Sequence, residues 1–454
     1  MKLADWVRFR GSLMKIGLDG ATGVVRDRAT AYSSFLAGRE TAPLTDFDPF
    51  APKTRRDPYP EYHALLTGPN VPNVWYNRKR AIWIVAGYDD VRAALRDPVA
   101  FSSAESQARY RVHLQSMNAA DPPYHTRLRK FVSRAFTPRA MKAWQTVINE
   151  VADELVDAMI TRGRTELVSD LAKPLPNRLI ATMLGIPKQD HAQFLAWADA
   201  MAEGAFAPLD RHGLAQSARS ARATSAMRRN LDGLISQRRR NPGDDLISMM
   251  TASDGTDVLT DNEIFWSAAM LIGAGSETTT NLLSGLFLTL AQQPALYTQL
   301  REHPELIPSA IEEQLRFVAP VQGFYRTATR DYPMGAQTIP AGARVLLLFA
   351  AANRDPRHYD DPDTFDLYRN PTDHLAFGVG VHFCLGTPLS RLEVSRVLTR
   401  LLPRVESIRF AGSPRYLDDP TMRGLAHLPL ELVPAGAAAG GVGVATKPDA
   451  LESP

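Results

Sequence analysis

Cys384 is the only cysteine among 454 residues. It lies in Phe377-Gly-Val-Gly-Val-His-Phe-Cys384-Leu-Gly386, just before a stretch with helical spacing. A cysteine there faces the positive end of the following helix, which lowers the thiol pKa and favours the metal-binding thiolate. Three glycines permit a tight loop and close backbone approach to a flat ligand. Backbone N–H groups of such a loop can donate to the sulfur and tune a metal centre. Three other readings stand beside this one. A lone buried cysteine often serves as a small apolar residue. A zinc site needs about four ligands, of which His382 and Cys384 supply two locally. A cysteine nucleophile needs a positioned base, which the loop alone does not provide.

Three more stretches carry chemistry. Leu271-Ile-Gly-Ala-Gly-Ser-Glu277-Thr278-Thr-Thr280 sits inside a long helical pattern, yet it holds two glycines. Each costs ~1 kcal/mol against alanine in a helix interior. Local rules are broken in this way at functional sites, although close helix packing is the plainer reading. Glu313-Gln-Leu-Arg316 places opposite charges one helical turn apart,. In Asp121-Pro-Pro-Tyr-His125-Thr-Arg-Leu-Arg129, His125 and Arg129 share one helix face.

The elements that must position these residues are mostly helical. Residues 125–135, 147–160, 191–202, 217–239, 263–291 and 389–402 show apolar residues at three- and four-residue spacing,. Val74-Trp-Tyr and Ala81 to Ala86 read as short strands around a polar turn, and Gln337 to Phe349 as a small hairpin turning at Pro340-Ala-Gly,. The expected organisation is an N-terminal arm over 1–49, a single catalytic domain over 50–433 and a disordered Ala/Gly-rich tail over 434–454,. Trp6, Phe9, Leu13 and Ile16 could form one face of a short helix in the arm, packing on the protein or a subunit rather than meeting a membrane,.

Composition bounds the partners. Hydrophobic residues make up 44% and charged residues 22%, with a net charge of +3. So small a surplus does not point to nucleic acid. The longest apolar run, Val345 to Ala352, is far short of the ~20 residues of a membrane span,. Met1 to Arg10 lacks a signal-peptide core, so a soluble cytoplasmic protein without a transmembrane anchor is expected,.

The FGxGxHxCxG loop resembles the haem-binding loop of the cytochrome P450 family, and the resemblance runs from about Asp57 to Leu430. It implies a mostly α fold with small β-sheets (α+β) around a buried haem b, iron protoporphyrin IX. Cys384 would be the proximal thiolate on the iron, favouring O–O cleavage. Phe377 would lie against the haem by the sulfur. His125, Arg129, Arg326 and His382 would meet the haem propionates. Glu313, Arg316 and Arg369 would form a structural charge network. The 271–280 stretch resembles the family's AGxxT segment, where the helix opens locally beside the oxygen site. Glu277 and Thr278 would be its proton-delivering acid–alcohol pair. Substrate would meet residues 104–118, Trp197 to Phe206, Met270, Gly273, Ala274, Val321, Gln322 and Met422. The implied function is a monooxygenase that inserts one atom of O2 into a mostly apolar small molecule. No stretch remains for a fused reductase, so electrons from NAD(P)H are expected through a separate ferredoxin and ferredoxin reductase. Arg127, Lys130, Arg134 and Arg139 could form the docking face or be an ordinary solvated helix face. Two alternatives are a haem-thiolate coupling enzyme without oxygen insertion and a haem-binding sensor or carrier.

Overall fold

Helices form where apolar residues recur along one face, and here those faces converge on one core. The computed structural model describes residues 43–104, 116–205 and 211–436. The Trp6 to Ile16 face, residues 105–115 of the expected pocket loop, Phe206 and the tail beyond 436 lie outside the described residues. The helices that matter for the site are α1 (Tyr88–Arg96), α2 (Tyr124–Ser133), α3 (Pro138–Arg162), α4 (Pro174–Met183), α5 (His191–Ala205), α6 (Arg211–Arg240), α7 (Asp261–Gln292), α8 (Ile307–Phe317) and α9 (Thr387–Leu401).

Their ends follow local chemistry. Thr137 caps α3 by accepting from the Ala140 N–H, Pro138 opens it, and Gly163 ends it at φ 69°,. Thr260 and Glu263 form a reciprocal capping box at the start of α7,. With 32 residues α7 is about 48 Å long,. It is buried on nearly every side, which explains why its sequence is apolar all round,. Leu128, Phe131, Ile148, Leu179, Phe265 and Phe287 join the helices in one large core.

A five-stranded sheet flanks this core. Its strands are β1 (Trp75–Asn77), β2 (Ile82–Val85), β3 (Phe101–Ser102), β4 (Phe324–Ala328) and β5 (Arg344–Leu347), in the order β1-β2-β5-β4-β3. The β2–β5 pair is parallel and the others are antiparallel. The hairpin expected over Gln337 to Phe349 does not form. Gln337–Ile339 pairs backwards with Tyr332–Met334 instead. Gly342, at φ 78°, lies between that pair and β5. All four residues of β5 are buried, and a place between two other strands suits so apolar a strand.

Candidate active site

The cysteine loop is built on two left-handed glycines. Gly378 has φ 64° and Gly380 φ 76°. A Cβ on Gly380 would lie 2.7 Å from the Leu95 carbonyl oxygen, so only glycine lets the loop backbone rest on the end of α1,. The Cys384 N–H donates to the Phe377 carbonyl at 2.9 Å, and the Thr387 hydroxyl donates to the Cys384 carbonyl at 2.9 Å. These bonds hold the sulfur at the entrance to α9. The helix-end effect expected from sequence is present, since Gly386 and Thr387 stabilise the thiolate. It is outweighed: burial pushes the Cys384 thiol up overall. A bound cation reverses that balance, because a coordinated thiol is deprotonated outright.

Beside the sulfur stand four groups able to carry positive charge. His125 and Arg129 come from α2, Arg326 from β4 and His382 from the loop, and all four line one cavity with Cys384. The His125 and His382 rings lie 4.3 Å apart. Among the described residues, both ring nitrogens of His125 and Nε2 of His382 are buried without a hydrogen-bond partner. Arg326 is 4% exposed and donates to the Tyr325 carbonyl at 2.8 Å. Arg129 donates to the Phe383 carbonyl at 2.6 Å. Burial pushes Arg326 down to about 10. Burial, then Arg326, His125 and Arg129, push His382 down to about 3. Asp121 acts against this on His125 and Arg326, and it also accepts from the Ser103 N–H at 2.8 Å. Crowded cations and orphaned ring nitrogens around an apolar cavity fit a flat ligand with anionic arms, as haem b is.

Phe377 also lines the cavity. The Arg391 guanidinium lies 5.2 Å from its ring centroid, and Arg391 is held by two 2.6 Å bonds to Glu312,.

To the same cavity α7 contributes Met270, Ala274, Gly275, Thr278 and Thr279. The Thr278 hydroxyl donates to the Ala274 carbonyl at 2.8 Å. The Glu277 side chain is exposed, while protein atoms crowd around its carboxyl. Burial, then Asp419 and Asp199, push its carboxyl up to about 7, against Lys173. Ser276 is tied to Asn177, and the Thr280 hydroxyl donates to the Ala172 carbonyl at 3.0 Å, which anchors α7 from behind. The local opening expected here is not seen. The helix is continuous through 273–280, with threonine hydroxyls adding bonds to carbonyls four residues earlier. A Cβ on Gly273 would meet nothing within 4 Å, and one on Gly275 would touch Ile180 at 3.6 Å, an ordinary contact. Neither glycine is required by packing.

Glu313 and Arg316 are both fully buried and paired by two 2.7 Å bonds. Arg316 also donates to the carbonyls of Asn353, Pro362 and Thr364. Glu313 accepts from the Asp366 N–H at 2.9 Å and from Arg369 at 3.3 Å. The Asn353 side chain accepts from the Leu375 N–H at 2.7 Å. The network is thereby tied to the segment entering the cysteine loop.

The cavity holds about 250 Å³. Of the expected substrate residues, Met117, Asn118, Met270, Ala274 and Val321 line it, whereas Gly273, Gln322, Met422 and the described residues 197–205 do not. Gln322 is spent on structure: it accepts from the Tyr62 hydroxyl and donates to the Val318 and Ala319 carbonyls. Leu95, Phe136, Ile180, Leu282, Phe324 and Phe349 line the cavity unannounced, because nothing in an apolar residue's local sequence tells a cavity wall from a core. The expected basic face is mostly neutralised. Arg127 pairs with Asp257 and Glu263, while Lys130 and Arg134 pair with Asp254. Arg139 is exposed. Among the described residues no helix is long and apolar enough to cross a membrane.

The family model for Cytochrome P450 matches residues 69–408. The beta-dihydromenaquinone-9 omega-hydroxylase of Mycobacterium tuberculosis is 38% identical over 399 residues, covering 87% of this chain and 80% of that protein. The monooxygenase PikC of Streptomyces venezuelae is 36% identical over 406 residues, covering 86% and 94%. Among solved structures, CYP109E1 of Bacillus megaterium in complex with testosterone matches with a TM-score of 0.76 at 32% identity, covering 84% of this chain and 98% of that one. P450BioI in complex with hexadec-9Z-enoic acid ligated acyl carrier protein matches with a TM-score of 0.76 at 34% identity, covering 84% and 100%. This chain belongs to the cytochrome P450 family. It is a haem-thiolate monooxygenase that uses haem b, O2 and electrons drawn from NAD(P)H through partner proteins. Coupling without oxygen insertion and haem sensing are not favoured.

Proposed function

We propose that this monooxygenase hydroxylates an apolar small molecule in the cytoplasm, with electrons from a ferredoxin and its reductase, and that the catalytic domain spans 50–433. The observation that carries the site reading is that Cys384 and Thr278 line one cavity together with His125, Arg129, Arg326 and His382. Cys384 would hold the iron. The four cationic or donor groups would hold the propionates, and Phe377 would cover the sulfur side of the ring. Haem b bound there supplies activation of O2 and transfer of one oxygen atom to the substrate.

The chain's own work is positioning and proton supply. Met270, Ala274 and Val321 present a mostly apolar wall that holds the substrate and excludes water from it. Glu277, poised at about 7, takes protons from solvent and releases them near neutral pH,. The Thr278 oxygen can accept a proton on one side and donate on the other. To donate into the cavity it turns away from the Ala274 carbonyl, its acceptor at rest. The mycobacterial relative is named a beta-dihydromenaquinone-9 omega-hydroxylase and the BioI complex contains hexadec-9Z-enoic acid, and both favour an apolar substrate.

The test is spectroscopic. The reduced, carbon-monoxide-bound protein is expected to show the red-shifted Soret band of thiolate ligation, and Cys384→Ser to lose it. A variant that keeps the wild-type spectrum overturns the assignment of Cys384.

A further inference from the structure

The chain carries a concentration of charge that oxygen chemistry does not use. Residues 211–240 of α6 contain eight arginines and a single acidic residue, Asp232, in a protein whose net charge is only +3. The arginines divide by face. Arg228 bonds Asp232 and Asn262 at 2.7 Å each. Arg238 pairs with Asp245 at 2.5 Å and Arg239 with Asp261 at 2.8 Å. These side chains clamp α6 to α7 and to the segment before it. Arg222, Arg229 and Arg240 are exposed.

Those three lie on one line. They are seven and eleven residues apart, which at 3.6 residues per turn puts them within about 20° of one another and about 10 and 17 Å apart along the axis. The buried residues Thr224, Met227, Leu231 and Ile235 lie on the opposite side. Between the arginines the crest carries only Ala226, Gly233 and Ser236. Gly233 is exposed in mid-helix, and a Cβ there would meet nothing within 4 Å. It weakens the helix relative to alanine, with no packing reason. A local rule broken without a structural cause points to a contact made by something else.

We propose that this crest docks an acidic helical segment of a partner protein, lying along α6 with carboxylates opposite Arg222, Arg229 and Arg240 and its backbone drawn close at Gly233. Arginine suits the task because its fork matches a carboxylate. A membrane surface fits less well. Among the described residues the exposed large apolar side chains are Leu44, Val99, Val258, Tyr368, Phe383 and Leu417, none of them on α6, and an interfacial helix needs an apolar face. The surface is separate from the haem site, so the two readings stand or fall independently.

The test uses haem-loaded protein and a labelled, alanine-rich helical peptide carrying glutamates at the same seven- and eleven-residue spacing. Fluorescence anisotropy at low salt is expected to show binding about tenfold tighter than for a peptide of equal composition with its glutamates on different faces. Binding weakens as salt rises. Combining Arg222→Gln, Arg229→Gln and Arg240→Gln is expected to cost about tenfold in affinity. Gly233→Gln alone is expected to cost a similar factor without changing charge or lowering the melting temperature. Equal binding of the two peptides, or unchanged binding by either variant, overturns the proposal. So does a preference for phosphatidylglycerol vesicles or single-stranded DNA over the matched peptide, which would assign the crest to a lipid or a nucleic acid.

Discussion

Thr278 and Glu277 adjoin in sequence but differ in setting. Thr278 lines the cavity, whereas Glu277 does not and feels the charges of Asp419, Asp199 and Lys173. Removing the hydroxyl by Thr278→Ala should leave haem binding and substrate spectra intact while oxygen reduction runs to hydrogen peroxide. The check is product formed per NAD(P)H consumed, with peroxide measured in parallel; coupling equal to wild type would sink the role. Glu277 keeps its proton below about pH 7. Turnover limited by proton supply should therefore hold at lower pH and fall as pH rises through that value. Glu277→Gln should be slower and lose this inflection, read from initial rates across the pH range. On the other side of the site, Arg129→Ala or Arg326→Ala removes a charged donor. Each should speed haem loss by roughly 10- to 100-fold, taking a charge-assisted bond as ~1.5–3 kcal/mol. Unchanged haem-transfer rates to an acceptor protein would count against the propionate assignment.

Elements decide whether those residues meet. The pairing of Glu313 and Arg316 is buried and fully bonded, so Arg316→Ala would strand a carboxylate and cost roughly 3–5 kcal/mol. Denaturant melts should show that loss. Gly273→Ala is a contrasting case. Its Cβ would meet open space, so the fold should be unharmed or gain up to ~1 kcal/mol in helix propensity, and any change in substrate affinity would report on the cavity alone. Sequence spacing was a good guide to elements that obey one local rule. The glycine loop around Cys384 and the apolar periodicity of α7 could both be read before any fold was known. Its failures share a cause in long-range contacts. Nothing near Gln337 indicates that Arg344–Leu347 pairs with Ile82–Val85 across the fold. Nothing near Arg127, Lys130 and Arg134 reveals that Asp254, Asp257 and Glu263 fold back onto them. The upward balance at Cys384 was hidden likewise, because burial is a property of the assembled chain.

At the scale of the whole molecule, Glu393 sets a cost on stability that depends on pH. It is 1% exposed, its Oε2 has no hydrogen-bond partner among the described residues, and burial pushes it up to about 8 from an ordinary 4.5. The folded chain holds this proton where the unfolded chain releases it. Stability should therefore fall as pH rises from about 4.5 to about 8 and then level off,. Glu393→Gln should flatten the melting temperature across that window; a mutant with the wild-type slope would place the effect elsewhere. Haem should raise the melting temperature of the whole protein, since a ligand that binds only the folded chain stabilises it by mass action. Finally, the solitary cysteine has a practical meaning. With Cys384 the only thiol in 454 residues, a maleimide dye has one native target, and coordination would mask it. Labelling stoichiometry would then count the haem-free fraction directly. Cysteines introduced at the surface could carry fluorophores for distance measurements without stripping any native thiol first.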